Sequence, residues 1–306
     1  MLGKHHIALS VGTVLPFLIP LFFIDSAALT YAIAFLFAVF VGSLTPDADC
    51  GGKATIYYRF PIVDFLMKKA IIKPVVFVFR MLSRNKKIKL KYEVREEHRG
   101  IMHAPIGILI SSFMFTIIIL IFMLIFKLFN IYTLLLVFLG LLVGQFLHLL
   151  EDSCTVAGID WKFPFGTKKI YGNIYTFSKY EGKIDIRPKI YQYILGAFSL
   201  LLLLGYAFDK IIWPLWLVYL CIFLIVGLLW LSFLTLSGML SQNRETPPHW
   251  LKKVEQVKKI RHFHKDFGKS FKQKSSFGIK EPKVEYMFQK PKRKCRSRKS
   301  RRKKRK

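Results

Sequence analysis

The stretch Ile131–Asp152, IYTLLLVFLGLLVGQFLHLLED, decides the class of fold. It contains no Lys or Arg, and its two acidic residues stand at the very end. An apolar run of about 20 residues is long enough for a helix to cross a bilayer. His148 and Asp152 stand four residues apart, so a helix presents both side chains from one face. The stretch therefore predicts a membrane span that ends in an imidazole and a carboxylate.

Six segments of this kind predict three helical hairpins. They are Ile7–Ile24, Ala27–Leu44, Ala104–Phe126, Ile131–Leu150, Tyr191–Phe208 and a stretch from about Ile211 to Leu236. Very short connections join them in consecutive pairs, which is typical of antiparallel neighbouring helices. We therefore predict an all-α, polytopic membrane helical bundle of about six transmembrane helices. A cleaved signal peptide is the alternative for the first segment, although its apolar run is longer than usual for one.

Basic residues mark one side of the predicted bundle. The connections Ala48–Glu97 and Glu151–Ile190 carry twelve and seven Lys and Arg, and the tail after Ser241 carries twenty-five. The short connections on the other side carry only Lys127 and Lys210. An excess of Lys and Arg is typical of the cytoplasmic side of a membrane protein. We expect a multi-pass protein of the cell (inner or plasma) membrane with both termini in the cytoplasm.

The formal net charge of +30 indicates polyanionic neighbours. Pro61–Leu82 mixes apolar residues with four basic ones, which favours a helix in the headgroup layer over a failed span. The tail from about Lys290 to Lys306 is predicted to be disordered, because it has too few apolar residues to form a core. Anionic lipid headgroups are the expected partners of the basic loops and tail. Nucleic acid is the second choice, since no aromatic interleaving or fold signature accompanies the charge.

Ionisable residues beside the spans form four clusters. They are His5-His6, Asp47 with Asp49, His98 with His103, and His148 with Asp152. Such residues are costly in or near a membrane, so each is expected to have a partner or a function. In the six-span topology, spans one and three begin at the cytoplasmic face and spans two and four end there. The four clusters are therefore predicted to meet at one membrane face.

Imidazoles and carboxylates together suit a divalent metal ion, and zinc is the expected one. The candidate ligands are His6, Asp47, Asp49, His98, His103, His148 and Asp152. Either aspartate of the second cluster could instead orient a histidine. A structural hydrogen bond is the alternative for the His and Asp of the fourth cluster. His5 is interpreted as an ordinary interfacial residue and Glu151 as a solvated charge.

At these residues the sequence resembles the YdjM-like family of inner-membrane metal-dependent hydrolases. The family pattern is an N-terminal His, Pro-Asp-x-Asp, His-Arg-Gly-x-x-His, and His-x-x-x-Asp followed by Thr and Gly. Its counterparts here are His6, Pro46-Asp47-Ala48-Asp49, His98-Arg99-Gly100 with His103, His148 with Asp152, and Thr155 with Gly158. The resemblance runs from about His6 to Gly158, and no counterpart is recognised for the second half of the chain.

The chain departs from the family pattern at three positions. Where the family often has His, Ser and Pro, this chain has Cys50, Ala104 and Val156. A thiolate at Cys50 can also bind zinc, so the substitution is compatible with a metal site of altered softness. Cys154 is the other cysteine near the proposed site.

The resemblance implies a hydrolase that uses a metal-activated water. The family is distantly similar to zinc-dependent phospholipase C and the P1-type nucleases, which implies a phosphoester substrate such as a lipid headgroup. Asp49 or Asp152 is the expected general base, and Arg99 is expected to hold an anionic substrate group. Lipid-headgroup anchoring is the alternative for Arg99. The rival function is a non-enzymatic metal-binding scaffold or a transporter.

These assignments predict that the chain is divided into three parts. Residues 1–160 are predicted to form the hydrolase-like membrane domain. Residues 161–240 add a loop and two further transmembrane helices, and residues 241–306 form the basic cytoplasmic tail.

Overall fold

The structure is a computed structural model that describes residues 3–50, 61–82, 94, 100–166, 168–175 and 185–243. Within these residues, six helices are long and apolar enough to cross a membrane, which confirms the predicted helical bundle. They are Gly3–Phe23, Ser26–Asp49, Pro105–Ile125, Ile131–Ser153, Arg187–Ala207 and Leu215–Leu236. The predicted disordered tail, from about Lys290 to Lys306, lies outside the described residues. The division of the chain at residues 160 and 240 stays a prediction.

The helices and strands are labelled in chain order. The α-helices are α1 (Gly3–Leu18), α2 (Ser26–Leu44), α3 (Pro61–Met67), α4 (Lys73–Leu82), α5 (Pro105–Ile125), α6 (Ile131–Ser153), α7 (Arg187–Ala207) and α8 (Leu215–Leu236). Single 3₁₀ turns cover Ile19–Phe23, Pro46–Cys50 and Ile101–His103, and a π-helical turn, Lys68–Ile72, joins α3 to α4. The strands are β1 (Ile159–Asp160), β2 (Lys168–Tyr171) and β3 (Leu240–Asn243).

Local residues explain why the hairpin helices begin and end where they do. The carboxylate of Asp25 accepts a hydrogen bond from the backbone N–H of Ala28 and so caps α2. Asn130 caps α6 in the same way. Lys127 and Asp209 adopt positive φ angles of 55° and 50°, a conformation that stops a helix just after α5 and α7. These caps produce the short connections that the sequence predicts.

Small residues bring α2 and α6 into close contact. A Cβ atom added at Gly144 would lie only 2.2 Å from the carbonyl oxygen of Val39, so no larger residue fits there. Gly140 stands four residues earlier and faces α2 as well, which forms the Gly-x-x-x-Gly pattern of closely packed membrane helices. His148 and Asp152 continue this four-residue spacing. The packing of α2 on α6 therefore directs both side chains towards the end of α2.

The segment Pro61–Leu82 is helical, as the sequence predicts. Its inward side chains are buried against the turn after α2 and the residues that precede α5. The members of this apolar cluster are Ala48, Ile71, Ile72, Val75, Val76, Phe79, Val94, Ile101, Met102, Ala104 and Phe163. The six helices that qualify as spans do not include this segment. Its position in the headgroup layer stays a prediction.

A small antiparallel sheet connects the chain after α6 to the chain after α8. Its strand order is β1-β2-β3, with Ile159 opposite Ile170 and Tyr171 opposite Leu240. The sequence does not predict these strands, because runs of two to four residues carry no usable alternation of apolar and polar positions.

Arg187, at the start of α7, holds the same region together. Its guanidinium donates hydrogen bonds to the carboxylate of Asp185, to the side-chain oxygen of Asn173 and to the carbonyl oxygen of Leu236. Partial burial opposes ionisation of Asp185, but its hydrogen bonds with Arg187 hold the pKa of that carboxyl below its usual value. Arg187 thus ties the start of α7 to the end of α8.

Candidate metal centre

Five buried side chains from four parts of the chain meet at one end of the bundle. They are His6 in α1, Asp47 in the turn after α2, His103 in the turn before α5, and His148 and Asp152 in α6. Spans one and three begin at this end, and spans two and four end there. The convergence that the six-span topology predicts is therefore present in the structure.

The ring nitrogens and carboxylate oxygens of these residues lie close together. His148 Nε2 is 3.8 Å from Asp47 Oδ1 and 4.0 Å from Asp152 Oδ2. His103 Nε2 is 3.8 Å and 3.7 Å from the same two oxygens, and His6 Nε2 is 3.5 Å from Asp152 Oδ1. Two ligands of a tetrahedral zinc ion, each about 2.1 Å from the metal, are about 3.4 Å apart. The observed spacings are therefore near those of groups that share an ion.

His148 belongs to two overlapping sets of potential ligands. Its donor atom lies within 4.8 Å of those of His6 and Asp152, and the same is true of Asp47 and His103. The rings of His6 and His148 also stack, with centroids 3.7 Å apart. The two sets form one continuous cluster rather than two separate sites.

Hydrogen bonds orient two of the histidines. His148 Nδ1 lies 2.7 Å from the carbonyl oxygen of Ser43, and a carbonyl oxygen can only accept, so Nδ1 carries the proton. His6 Nδ1 lies 2.6 Å from Glu151 Oε2, and an ionised Glu151 can only accept, so in that state the ring donates to the carboxylate. In both rings Nε2 then has its lone pair available and points into the cluster, as metal-binding histidines require.

The Nε2 atoms of His6 and His148 are buried and form no hydrogen bond with any residue that the structure describes. Leaving a buried polar atom without a hydrogen bond costs about 1–3 kcal/mol. The nearest carboxylate oxygens lie at the distances expected for fellow ligands. This set of nitrogen and oxygen donors could hold a divalent metal ion.

Glu151 corrects one interpretation made from the sequence. It was expected to be a solvated charge, but its side chain is fully buried. Besides His6, it contacts Ser10 of α1, whose hydroxyl donates to Glu151 Oε1 over 3.1 Å. The reason is that α1 packs on this side of α6 and covers the position. The three-residue spacing between His148 and Glu151 was the one sequence signal that could have indicated a common role.

Asp49 occupies a different position from Asp47. Its Oδ2 atom is 3.3 Å from His103 Nδ1, on the opposite side of the ring from Nε2. Burial opposes protonation of His103, but Asp49 and the neighbouring carboxylates outweigh it and raise the pKa of the imidazole to about 9. An ion that binds Nε2 would have to displace the proton from that nitrogen. This geometry matches the alternative in which one aspartate of the pair orients a histidine.

Some predicted site residues cannot be placed at the cluster. His98 and Arg99 lie outside the described residues, and so does the side chain of Cys50. Cys154 is buried among apolar side chains that include Leu9, and burial raises the pKa of its thiol to about 11. Its thiol is not among the donor atoms that lie together in the described cluster.

The remaining motif residues have structural roles. His5 lies 2.9 Å through Nδ1 from the side-chain nitrogen of Gln192, and it is not among the donor groups of the described cluster. Its position at a membrane interface stays a prediction. The hydroxyl of Thr155 donates to the carbonyl oxygen of Asp152. Gly158 has a φ of 56°, and a Cβ there would lie 2.3 Å from the carbonyl oxygen of Ile170. Thr155 and Gly158 therefore shape the turn that follows α6.

Six apolar helices with a buried cluster of histidines and aspartates define a polytopic membrane protein with a candidate metal site. The chain belongs to the YdjM inner membrane protein family, whose model matches residues 1–236. The match continues through the last two spans, so it is longer than the first half of the chain recognised from the motifs. No curated protein and no solved structure matches the chain. The distant similarity to zinc-dependent phospholipase C and the P1-type nucleases stays a prediction.

Proposed function

We propose that the protein is a membrane-embedded, metal-dependent hydrolase that cleaves a phosphoester, with a lipid headgroup as the nearest substrate. The observation that supports this most is the pair of buried Nε2 atoms of His6 and His148. Both are aimed at carboxylates, and neither forms a hydrogen bond within the described part of the chain. Such an arrangement is stabilised when a cation occupies the space between the donors.

The residues of the cluster divide into two roles. His6, His103, His148, Asp47 and Asp152 would hold one or more divalent ions, with zinc as the expected metal. Glu151, Asp49 and the Ser43 carbonyl would hold the three rings in position. When bound, the ion would supply a water of lowered pKa as the nucleophile.

Two residues complete the proposed reaction. Asp152, if its carboxylate is not fully used in ligation, would take a proton from the attacking water, because Asp49 lies behind the His103 ring. Arg99 would bind the anionic group of the substrate, since its planar guanidinium matches phosphate oxygens. Arg99 directly precedes Gly100, which begins the described turn before His103.

Transport is less well supported than hydrolysis. In the described part of the chain, Ser111, Ser112 and Gln145 are buried part-way along α5 and α6, and they bond to one another. Ser111 donates to the Gln145 carbonyl oxygen over 2.6 Å, and the Gln145 amide donates to Ser112 over 2.7 Å. A substrate path through a transporter needs polar groups that face a mid-membrane cavity. These three side chains satisfy each other instead.

Metal analysis of single variants tests the proposal. Purified full-length protein loaded with zinc and desalted is expected to keep a near-stoichiometric ion, whereas His148→Ala and His103→Ala lose at least about 90% of it, because each removes a donor nitrogen. His5→Ala is the matched control, since His5 is the adjacent buried histidine but contacts Gln192. Unchanged metal content in His148→Ala and His103→Ala would show that the site is wrongly assigned.

Activity is then measured on the zinc-loaded protein. Phospholipids and simple phosphodiesters are offered, and hydrolysis is expected to stop on chelation and return on zinc addition. Binding of zinc without turnover of any of these substrates would favour the metal-binding scaffold instead.

A further inference from the structure

We propose that the outward face of the segment Pro61–Leu82 is a binding surface for anionic phospholipids beside the candidate metal centre. Three exposed basic residues, Lys69, Lys73 and Arg80, lie on this face. The exposed apolar side chains on the same segment are Val63, Phe65, Leu66, Phe77 and Met81. A face that mixes cations with large apolar groups suits the headgroup layer, where both phosphates and acyl chains are within reach.

The opposite face of the segment determines its level along the bundle. Ile72, Val75 and Phe79 are buried with Ala48, which stands between Asp47 and Asp49. The same cluster packs against Ile106, Ile110 and Met114 on the first three turns of α5. The segment is therefore held at the end of the spans where the His and Asp side chains meet, which is a bilayer boundary.

The outward face carries both apolar and charged side chains, so neither water nor the bilayer interior alone is a favourable environment for it. The side chain of Phe77 is 61% exposed and that of Phe65 is 54% exposed, and burying such rings in water-free surroundings is worth about 2 kcal/mol each. Lys69 and Lys73 are also exposed, and a lysine in hydrocarbon is strongly unfavourable. Lys69 already lies 4.3 Å from the centre of the Phe65 ring, so cation and aromatic group share one site on the surface.

Charge selects the type of lipid. The segment carries four basic residues and a single acidic one, Asp64. Each Lys or Arg near an anionic membrane surface contributes about 1 kcal/mol of attraction. The surface should therefore enrich anionic phospholipids over zwitterionic ones next to the turn that carries Asp47 and Asp49. That these lipids are also the substrate rests on the proposed function, whereas the surface itself does not.

A site-resolved cross-link tests the surface in the full-length protein. A benzophenone side chain is introduced at Phe77 and, as a matched reporter, at Phe37 of α2, which is 66% exposed and lies far from any basic residue in sequence. Each protein is placed in nanodiscs of equimolar phosphatidylglycerol and phosphatidylcholine, illuminated, and analysed by mass spectrometry. We expect the ratio of phosphatidylglycerol to phosphatidylcholine adducts at Phe77 to be at least about fivefold that at Phe37.

Two charge variants decide the cause of the preference. Lys69→Gln combined with Lys73→Gln is expected to reduce the ratio at Phe77 to that at Phe37. Lys127→Gln combined with Lys210→Gln removes two exposed lysines from the opposite end of the bundle and is expected to leave the ratio unchanged.

Three results would contradict the proposal that this face binds anionic phospholipids. These are equal ratios at the two reporters, a ratio at Phe77 that does not respond to the Lys69 and Lys73 changes, or adducts at Phe77 that join two protein chains. Zinc content is measured on the same samples. A preference for phosphatidylglycerol without bound zinc would support the lipid-binding surface and contradict the metal-dependent hydrolase. Bound zinc without a lipid preference would contradict the surface and leave the metal site of the proposed hydrolase intact.

Discussion

Glu151 and Asp152 are neighbours in the chain, yet their side chains serve different partners. Asp152 faces the histidine nitrogens of the cluster, whereas Glu151 turns to α1 and bonds to His6 and Ser10. Carboxylates that hold the second nitrogen of a metal-binding histidine fix its orientation and raise its basicity. Glu151 is therefore expected to affect metal binding although it does not point at the metal.

Substitution of Glu151 tests this at the scale of one residue. Glu151→Ala should weaken zinc affinity about 10–100-fold, because His6 loses the partner that orients its ring. Glu151→Gln keeps an acceptor for His6 Nδ1 and should show a smaller loss. Zinc affinity is measured by competition with a chromophoric chelator, with thermal unfolding measured in parallel.

Ser10→Ala is the control for this series. It removes a hydrogen bond to Glu151 but leaves the contact between Glu151 and His6, so its effect on zinc affinity should be the smallest of the three. An affinity of Glu151→Ala equal to that of the unchanged protein would show that the contact with His6 has no part in metal binding.

At the scale of elements, the contact between α2 and α6 positions the site. Gly140 and Gly144 allow the two backbones to approach, and His148 follows Gly144 by about one helical turn. The approach also brings the Ser43 carbonyl within 2.7 Å of His148 Nδ1. The separation of two helices thus sets the orientation of a proposed ligand.

Gly144→Ala should disturb both the packing and the site. The added methyl would lie 2.2 Å from the Val39 carbonyl oxygen, which the backbones can accommodate only by moving apart. We expect a loss of about 2 kcal/mol of stability, typical of an overpacked core, together with weaker zinc binding. Thermal unfolding in detergent and metal analysis measure the two effects.

Gly196→Ala is the matched control on α7. A Cβ at Gly196 meets no described atom within 4 Å, and alanine favours a helix over glycine by about 1 kcal/mol. Its melting temperature should be unchanged or slightly higher. If Gly144→Ala behaves like Gly196→Ala, the close approach of α2 and α6 does not limit stability.

At the scale of the whole molecule, topology unites residues that are far apart in the chain. His6 and Glu151 are 145 positions apart and form a hydrogen bond of 2.6 Å. The contact exists because an even number of crossings returns the chain to the same face each time. The family name places the protein in the inner membrane, whereas the cytoplasmic location of this face stays a prediction from charge.

Cysteine labelling in right-side-out vesicles tests the orientation. A membrane-impermeant maleimide should label Lys127→Cys in sealed vesicles, because the connection between α5 and α6 is expected on the outside. Cys295 in the basic tail should react only after the membrane is opened. Cys154 is fully buried and should stay unlabelled in both cases. Labelling of Cys295 in sealed vesicles would reverse the proposed orientation of the site.

The amino-acid sequence alone determined the six spans, their pairing into hairpins and the membrane face where His6, Asp47, His103, His148 and Asp152 meet. Run length, charge and the parity of crossings are local or countable properties, so no coordinates are needed to read them. Only the tertiary structure decided that Glu151 is buried against α1, that Asp49 lies behind His103, and that Cys154 packs among apolar groups. These facts depend on how each helix is rotated about its axis and how closely it approaches its neighbours. Such rotations and distances arise from packing across the whole bundle, which spacing along one chain does not specify.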